Sequence, residues 1–193
     1  MGTAYYFNGS NAYVIIPNTQ NLLVGTTALT LEAWVRHSAI PSSWRNIISK
    51  GSNPLCIQHS GDGKYFEFAI GTSTGRTYIW STTRVDLNLG KWFNVVGVWQ
   101  SPNMKIYVNG TLETTGSRDG TFTDSGYSFA IGYDPSGNSR YFNGLIAIVR
   151  IYNRALSDTE VQQIYNTPNN PPTTGLVLWF SNPDFTNDCC KAI

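Results

Sequence analysis

The stretch LTLEAWVRH, residues 29–37, alternates apolar Leu29, Leu31, Ala33 and Val35 with Thr30, Glu32 and Trp34. Successive side chains of an extended chain point to opposite faces, so a period of two predicts a strand with one face in a core. Working outward, WFNVVGVWQ (92–100) is largely apolar in both alternating sets, which predicts a strand covered on both faces or lying centrally in a sheet. Gly97 within it marks a close approach of a neighbour rather than a break. Asn109-Gly110, between MKIYV and TLETT, joins two residues tolerant of positive φ and predicts a type I′ hairpin turn.

Further short runs are AYVIIP from Ala12, RNIISK from Arg45, KYFEFAI from Lys64, RTYIWST from Arg76, YSFAIGY from Tyr127 and NGLIAIVRIYN from Asn143. Gly, Asn, Ser and Pro punctuate them, the pattern of an all-β sandwich or barrel. One segment reads as a helix, with Ser157 as N-cap, Glu160 as capping-box partner, Val161, Ile164 and Tyr165 at helical spacing, and an end before Pro168. Residues 167–174, TPNNPPTT, read as a stiff, extended linker. Residues 175–193 then hold one strand-like run and a polar tail.

A length of 193 residues suits one large all-β domain. Charged residues make up 13% of the chain, against roughly 25% in ordinary soluble proteins, and aromatics reach 13%. Thirteen Lys and Arg balance twelve Asp and Glu, so there is no basic field to gather phosphate backbones, and nucleic acid is excluded as an expected partner. No apolar run reaches the length of a membrane-spanning helix, and MGTAYYFNGS lacks the basic flank and apolar centre of an export signal. Cys56, Cys189 and Cys190 are too few for a disulfide framework; reduced thiols and a single bridge from the tail to Cys56 both stay open.

In order along residues 4–166, FNGSNAYVIIP, LTLEAWV, NIISKG, LGKWFNVVGVW, MKIYVNGTLE, FAIG and FNGLIAIVRIYNRALSDTEVQQIY resemble the laminin G-like, concanavalin A-like jelly-roll domains. The resemblance implies a sandwich of two antiparallel sheets, one of them concave, with one short C-terminal helix. With the linker and tail read above, the expected division is a domain at residues 1–166, a Pro-rich linker at 167–174, and a C-terminal strand and tail at 175–193. The resemblance also implies recognition of sugars, glycoconjugates or protein partners. Related members carry acids that contribute to a Ca²⁺ site where this chain has Asn8 and Ala147, so calcium is disfavoured here. If it binds, backbone carbonyls, Asn8 and loop aspartates such as Asp124 or Asp134 are the candidate ligands, and no metal or other cofactor is expected to be required.

Glycan hydrolysis on such a sandwich needs two carboxylates converging on one cleft. Glu32, Glu67, Glu113 and Glu160 fall in different elements, and His37 and His59 have no Cys or Ser motif beside them and read as loop or sheet-edge histidines. Aromatic rings offer flat faces to sugars. Tyr65, Phe66, Phe68, Tyr78 and Trp80 lie on two predicted strands that can line the concave sheet, with core packing as the competing role for most of them. Trp44 and the pair Tyr133-Asp134, in polar loops, are the rim candidates, with Arg45, Arg76 and Arg140 as polar partners. Arg150 and Arg154 are expected to tie the last strand to the helix.

These features predict a non-catalytic module that binds a glycan or protein surface outside a cell or on a virion. The alternative is a virion-decorating or tail protein. In either case Leu176, Val177, Leu178, Trp179 and Phe180 are expected to form an arm that docks on identical subunits or virion proteins by strand addition, or to open a further domain. A glycan hydrolase is a third reading, opposed by the scattered carboxylates.

Overall fold

The computed structural model describes residues 4–51, 55–123 and 126–181. Two antiparallel sheets face each other across one core. The seven-stranded sheet runs in the order β1 (Tyr5–Asn8), β12 (Asn143–Tyr152), β3 (Ala28–His37), β8 (Trp92–Gln100), β9 (Asn103–Val108) and β10 (Thr111–Ser117), with β13 (Leu176–Ser181) also on β12. The six-stranded sheet runs β2 (Val14–Ile16), β11 (Phe129–Ile131), β4 (Asn46–Ser49), β5 (Leu55–His59), β6 (Phe66–Thr72) and β7 (Gly75–Trp80). Together with the single helix α1 (Asp158–Asn166), this is the expected jelly-roll sandwich.

The alternation in β3 places Leu29, Leu31, Ala33 and Val35 in the main core. β8 pairs with β3 and β9, and its inward residues Phe93, Val95 and Trp99 join the same core. Its outward residues Val96 and Val98 are covered by Val161 and Ile164 of α1, which explains why both alternating sets of WFNVVGVWQ are apolar. A Cβ on Gly97 would come within 2.3 Å of the Phe68 ring in the opposite sheet, the close approach read from the sequence. Gly97→Ala is therefore expected to cost about 1–3 kcal/mol by overpacking, seen as a lower midpoint in urea denaturation at unchanged slope. The predicted hairpin turn is present, with positive φ at Asn109 (50°) and Gly110 (75°).

Ser157 caps α1, accepting from the Glu160 backbone N–H, while the Glu160 carboxylate accepts from the Ser157 N–H. Arg154 donates two hydrogen bonds to Glu160, at 2.9 and 2.6 Å, and these hold that carboxyl down at about 2. Behind the helix, Trp34 stacks on Tyr165 with ring centroids 5.7 Å apart. Glu32 and Arg150 sit opposite each other on β3 and β12, both fully buried and paired at 2.8 Å. Asn94 donates a further hydrogen bond to Glu32.

The C-terminal segment departs from the expectation of a free arm. β13 pairs antiparallel with β12 of its own sandwich, from Ile148↔Ser181 to Tyr152↔Leu176. β1 occupies the same edge of β12 only along Asn143–Ile146, and β13 fills the stretch that β1 leaves open. Residues 167–174 do not run out as an extended linker: the Asn170 N–H donates to the Thr167 carbonyl and the Leu176 N–H to the Thr173 carbonyl, turning the chain back. The return is held by Arg150, which donates to the Pro168 carbonyl and lies 4.7 Å from the centre of the Trp179 ring. Val177, Leu178 and Phe180 pack on the main core, so this apolar run finds its partner within the chain. Residues 182–193, including Cys189 and Cys190, and Asp124 lie outside the described residues.

Candidate functional site

The six-stranded sheet turns Phe66, Phe68 and Ile70 of β6 and Ile79 of β7 into the core. Glu67 and Ala69, and likewise Arg76, Tyr78 and Trp80, must then face outward, because side chains alternate along a strand. Phe66 and Phe68 are therefore core residues, while Tyr78 and Trp80 belong to the surface. Gln58, Glu67 and Trp80 lie directly opposite one another on β5, β6 and β7 and form a cross-strand row.

An open groove of about 160 Å³ lies over this row, lined by Trp44, Gln58, Glu67, Arg76, Tyr78, Trp80 and Arg140. Three of its aromatic rings remain nearly half exposed, Trp44 at 43%, Tyr78 at 47% and Trp80 at 45%. Tyr78 stacks on Trp80 at 5.5 Å. The Arg76 guanidinium lies 5.4 Å from the Tyr78 ring centre, and that of Arg140 lies 5.2 Å from the Trp44 ring. A Cβ on Gly61 would come within 2.7 Å of the Trp44 ring, so that indole is wedged between Gly61 and Arg140 although it sits on a loop.

Glu67 organises the groove from its floor. It is 2% exposed and accepts from Gln58 Nε2 at 2.8 Å, from Arg76 at 3.2 Å and from Trp80 Nε1 at 2.9 Å. Arg140 Nη1 donates to Gln58 Oε1 at 3.4 Å, joining the second guanidinium to the network. Each guanidinium carries five N–H groups, so both retain donors for a ligand after these contacts. Cys56, on the same outward face of β5, is a free and fully buried thiol, pushed up to about 12 by burial and by the charge of Glu67.

Of the residues singled out in the sequence, Trp44, Arg76, Tyr78, Trp80 and Arg140 meet in this groove. Arg45 does not. It follows Trp44 in an extended loop, faces the other way, and lines a second cavity of about 210 Å³ with Gly9, Ile40, Ser42, His59 and Asn143. Tyr133 stacks on Tyr141 and sits tilted against Tyr13 instead of lining the groove. Asp134 is fully buried and serves its own loop, accepting from the Ser136 N–H and hydroxyl and from Asn138 Nδ2, with Arg140 at 3.8 Å. It positions Arg140 and is not open to a ligand.

Gln58 and the organising role of Glu67 were missed in the sequence. The signal was present: in LCIQH, Cys56 and Gln58 alternate with Leu55 and Ile57, and Glu67 stands between Phe66 and Phe68. The histidines also differ from expectation. Neither lies in a loop or at a sheet edge: His37 and His59 are buried, with their Nε2 atoms 2.5 Å apart and the rings of Phe66 and Phe142 against both.

Asn8 spends its side-chain oxygen on the backbone N–H groups of Ser10, Asn11 and Ala12, and Ala147 is buried against Trp34 and Ile148. Among the described residues no three His, Cys, Asp or Glu side chains gather as a metal cage. No described helix is long and apolar enough to cross a membrane.

The family model of concanavalin A-like lectins and glucanases matches residues 8–162. The chain belongs to the concanavalin A-like lectin/glucanase superfamily. No curated protein matches it. Among solved structures, a provisionally assigned carbohydrate binding protein from Bacteroides ovatus ATCC 8483 shares 18% identity at a TM-score of 0.70, over 96% of this chain and 54% of that one. This chain thus spans about half the length of that protein. Domain 4 of AbnA, an extracellular GH43 arabinanase from Geobacillus stearothermophilus solved with arabinotriose, shares 22% identity at a TM-score of 0.60, over 84% and 76% of the two chains. The binding domain of botulinum neurotoxin serotype D/C VPI 5993 shares 18% identity at a TM-score of 0.61, over 86% and 46%. At these identities the likeness establishes the superfamily's fold and leaves function to the groove.

Proposed function

We propose that this domain is a non-catalytic module that binds carbohydrate in the groove over β5, β6 and β7. The observation that carries the reading is the set of three half-exposed rings, Trp44, Tyr78 and Trp80, around a buried polar row with two guanidiniums beside it. A sugar ring presents an apolar face edged by hydroxyls, and a site made of flat aromatic surface with a few fixed polar groups is complementary to that. The descriptions of the Bacteroides and Geobacillus structures as carbohydrate binding and arabinotriose-bound support the same class of ligand.

The groove is poorly equipped for hydrolysis. Glycosidases set two carboxyl groups across the scissile bond. Among the residues lining this groove Glu67 is the one carboxylate, and both its oxygens accept hydrogen bonds from its neighbours. Binding is proposed to need no Ca²⁺, since Asn8 and Ala147 are committed to the backbone and the core. The module is proposed to act where glycans are displayed, outside a cell or on a virion surface.

Calorimetric titration against xylo-, cello-, laminari- and arabino-oligosaccharides checks the reading. At least one series is expected to bind, with Trp80→Ala or Tyr78→Ala weakening it by about fivefold or more, chelator leaving affinity unchanged, and the sugar recovered intact. A partner found to be protein, or a sugar cleaved by the wild type and spared by Glu67→Gln, would overturn it.

A further inference from the structure

We infer that the groove is one end of a longer track, which continues across the same sheet face onto a cluster of three tyrosines and takes a linear oligosaccharide rather than one terminal sugar. This rests on the carbohydrate reading of the groove. Tyr13, Tyr133 and Tyr141 cluster, with Tyr133 stacked on Tyr141 at a centroid distance of 4.8 Å and Tyr13 tilted against Tyr133 at 4.9 Å. Tyr13 is 48% exposed. Nothing in the groove network uses these rings.

Strand register puts the two aromatic platforms in one line. The row Trp80, Glu67 and Gln58 continues to Asn46 on β4. β11 pairs with β4 through Ala130↔Ser49 and Ile131↔Ile48, and beyond it the Asn46 N–H donates to the Arg140 carbonyl, so the row passes beside Asn46 to Arg140 and the adjoining Tyr141, which stacks on Tyr133. β2 pairs with β11 through Val14↔Ile131, which sets Tyr13 alongside. Val14 and Ile16 pack on the core, so Tyr13 and Ile15 face outward, on the same side as Trp80.

β7 and β2 are the two edges of this sheet, five steps apart, and at about 4.8 Å per step the line is roughly 24 Å long. That is too long for one sugar and suits a chain laid across the strands. The two platforms also abut through a single loop. Arg140 lines the groove, and the next residue, Tyr141, stacks on Tyr133. Asp134, buried at the start of that loop, holds its first turn through Ser136 and Asn138 and lies 3.8 Å from Arg140. A chain leaving the Tyr78 and Trp80 platform past Arg140 therefore meets a second stacking surface whose phenol groups can hydrogen-bond its hydroxyls.

The test is affinity against chain length, using the xylo-, cello-, laminari- and arabino-oligosaccharide series from disaccharide to hexasaccharide. For a series that binds, affinity is expected to climb about tenfold from disaccharide to hexasaccharide. Tyr13→Ala should erase most of that climb while leaving the disaccharide unchanged, and Trp80→Ala should weaken every length alike. Tyr133→Leu, which keeps apolar bulk in the cluster, guards against a packing defect and should give the same length-specific loss. Affinity that is flat with length, or a climb indifferent to both tyrosine variants while Trp80→Ala still weakens binding, overturns the track and leaves the groove reading standing. Failure of every series to bind overturns the groove reading, and the track with it.

Discussion

Removing residues 168–193 is expected to destabilise the whole sandwich rather than release a folded domain. The deleted stretch supplies the Pro168 carbonyl and the Trp179 ring that cover Arg150, whose pairing with Glu32 lies fully buried. Burial raises the Glu32 carboxyl above the usual carboxylate range and Arg150 opposes that shift, so the pair holds only while it is enclosed by hydrogen-bonding groups. Removing the Pro168 carbonyl leaves an Arg150 N–H without its acceptor, at a cost of about 1–3 kcal/mol. Loss of β13 also uncovers apolar surface under Val177, Leu178 and Phe180 and opens the edge of β12 along Ile148–Tyr152. A loss above about 5 kcal/mol lowers the melting temperature by at least 10 °C or so for a domain of this size, and calorimetry on the truncated chain checks it. Trp179→Ala should produce a smaller fall, since it removes the cation–π cover and keeps the strand, about 1–2 kcal/mol. A truncated chain that melts with the full-length protein would show that the segment is dispensable and return it to the role of a docking arm.

Acidification is expected to cost this protein more stability than carboxylate protonation alone would. Burial pushes His37 down from the usual 6.5 to about 3. It lowers His59 as well, reinforced by the charge of His37 and of Arg45. Both rings are therefore neutral in the fold, with one Nε2 donating to the other across 2.5 Å. In the unfolded chain each takes up a proton near pH 6.5. The unfolded state thus binds more protons below that pH, and stability falls as pH drops from about 6.5 toward 3, at up to about 1.4 kcal/mol per pH unit for each ring. Above about pH 8 the histidines exert no pH dependence. Between pH 6.5 and 4.5 His37 alone should remove roughly 2 kcal/mol, and His59 adds to the fall in the same direction. The measurement is denaturant unfolding across that range for the wild type and for the paired variant His37→Leu/His59→Leu, which packs against the same phenylalanines without titrating. The wild-type curve should fall more steeply. Parallel curves would show that the pair titrates normally.

The two expectations draw on information of different reach in the chain. The period of two in LTLEAWVRH, the doubly apolar WFNVVGVWQ, the Asn109-Gly110 turn and the capping box at Ser157 and Glu160 are local patterns, set by backbone geometry within a few residues. The sequence alone was enough to determine the sandwich, its turn and its helix. Most of the aromatic and arginine members of the groove were also legible, because Trp44 and Arg140 stand in polar loops and Tyr78 and Trp80 alternate with Ile79.

What tertiary structure alone decided is which distant residues meet. Gln58 and Glu67 become one hydrogen-bonded row only through the β5–β6 register, and Arg150 acquires Pro168 and Trp179 only because the chain turns back at residues 167–174. The histidines, 22 positions apart, share a core site because β3 and β5 face each other across the sandwich. Such pairings depend on strand register and sheet packing summed over the whole core. A short window of sequence carries the face a side chain will take, but not the partner it will find there.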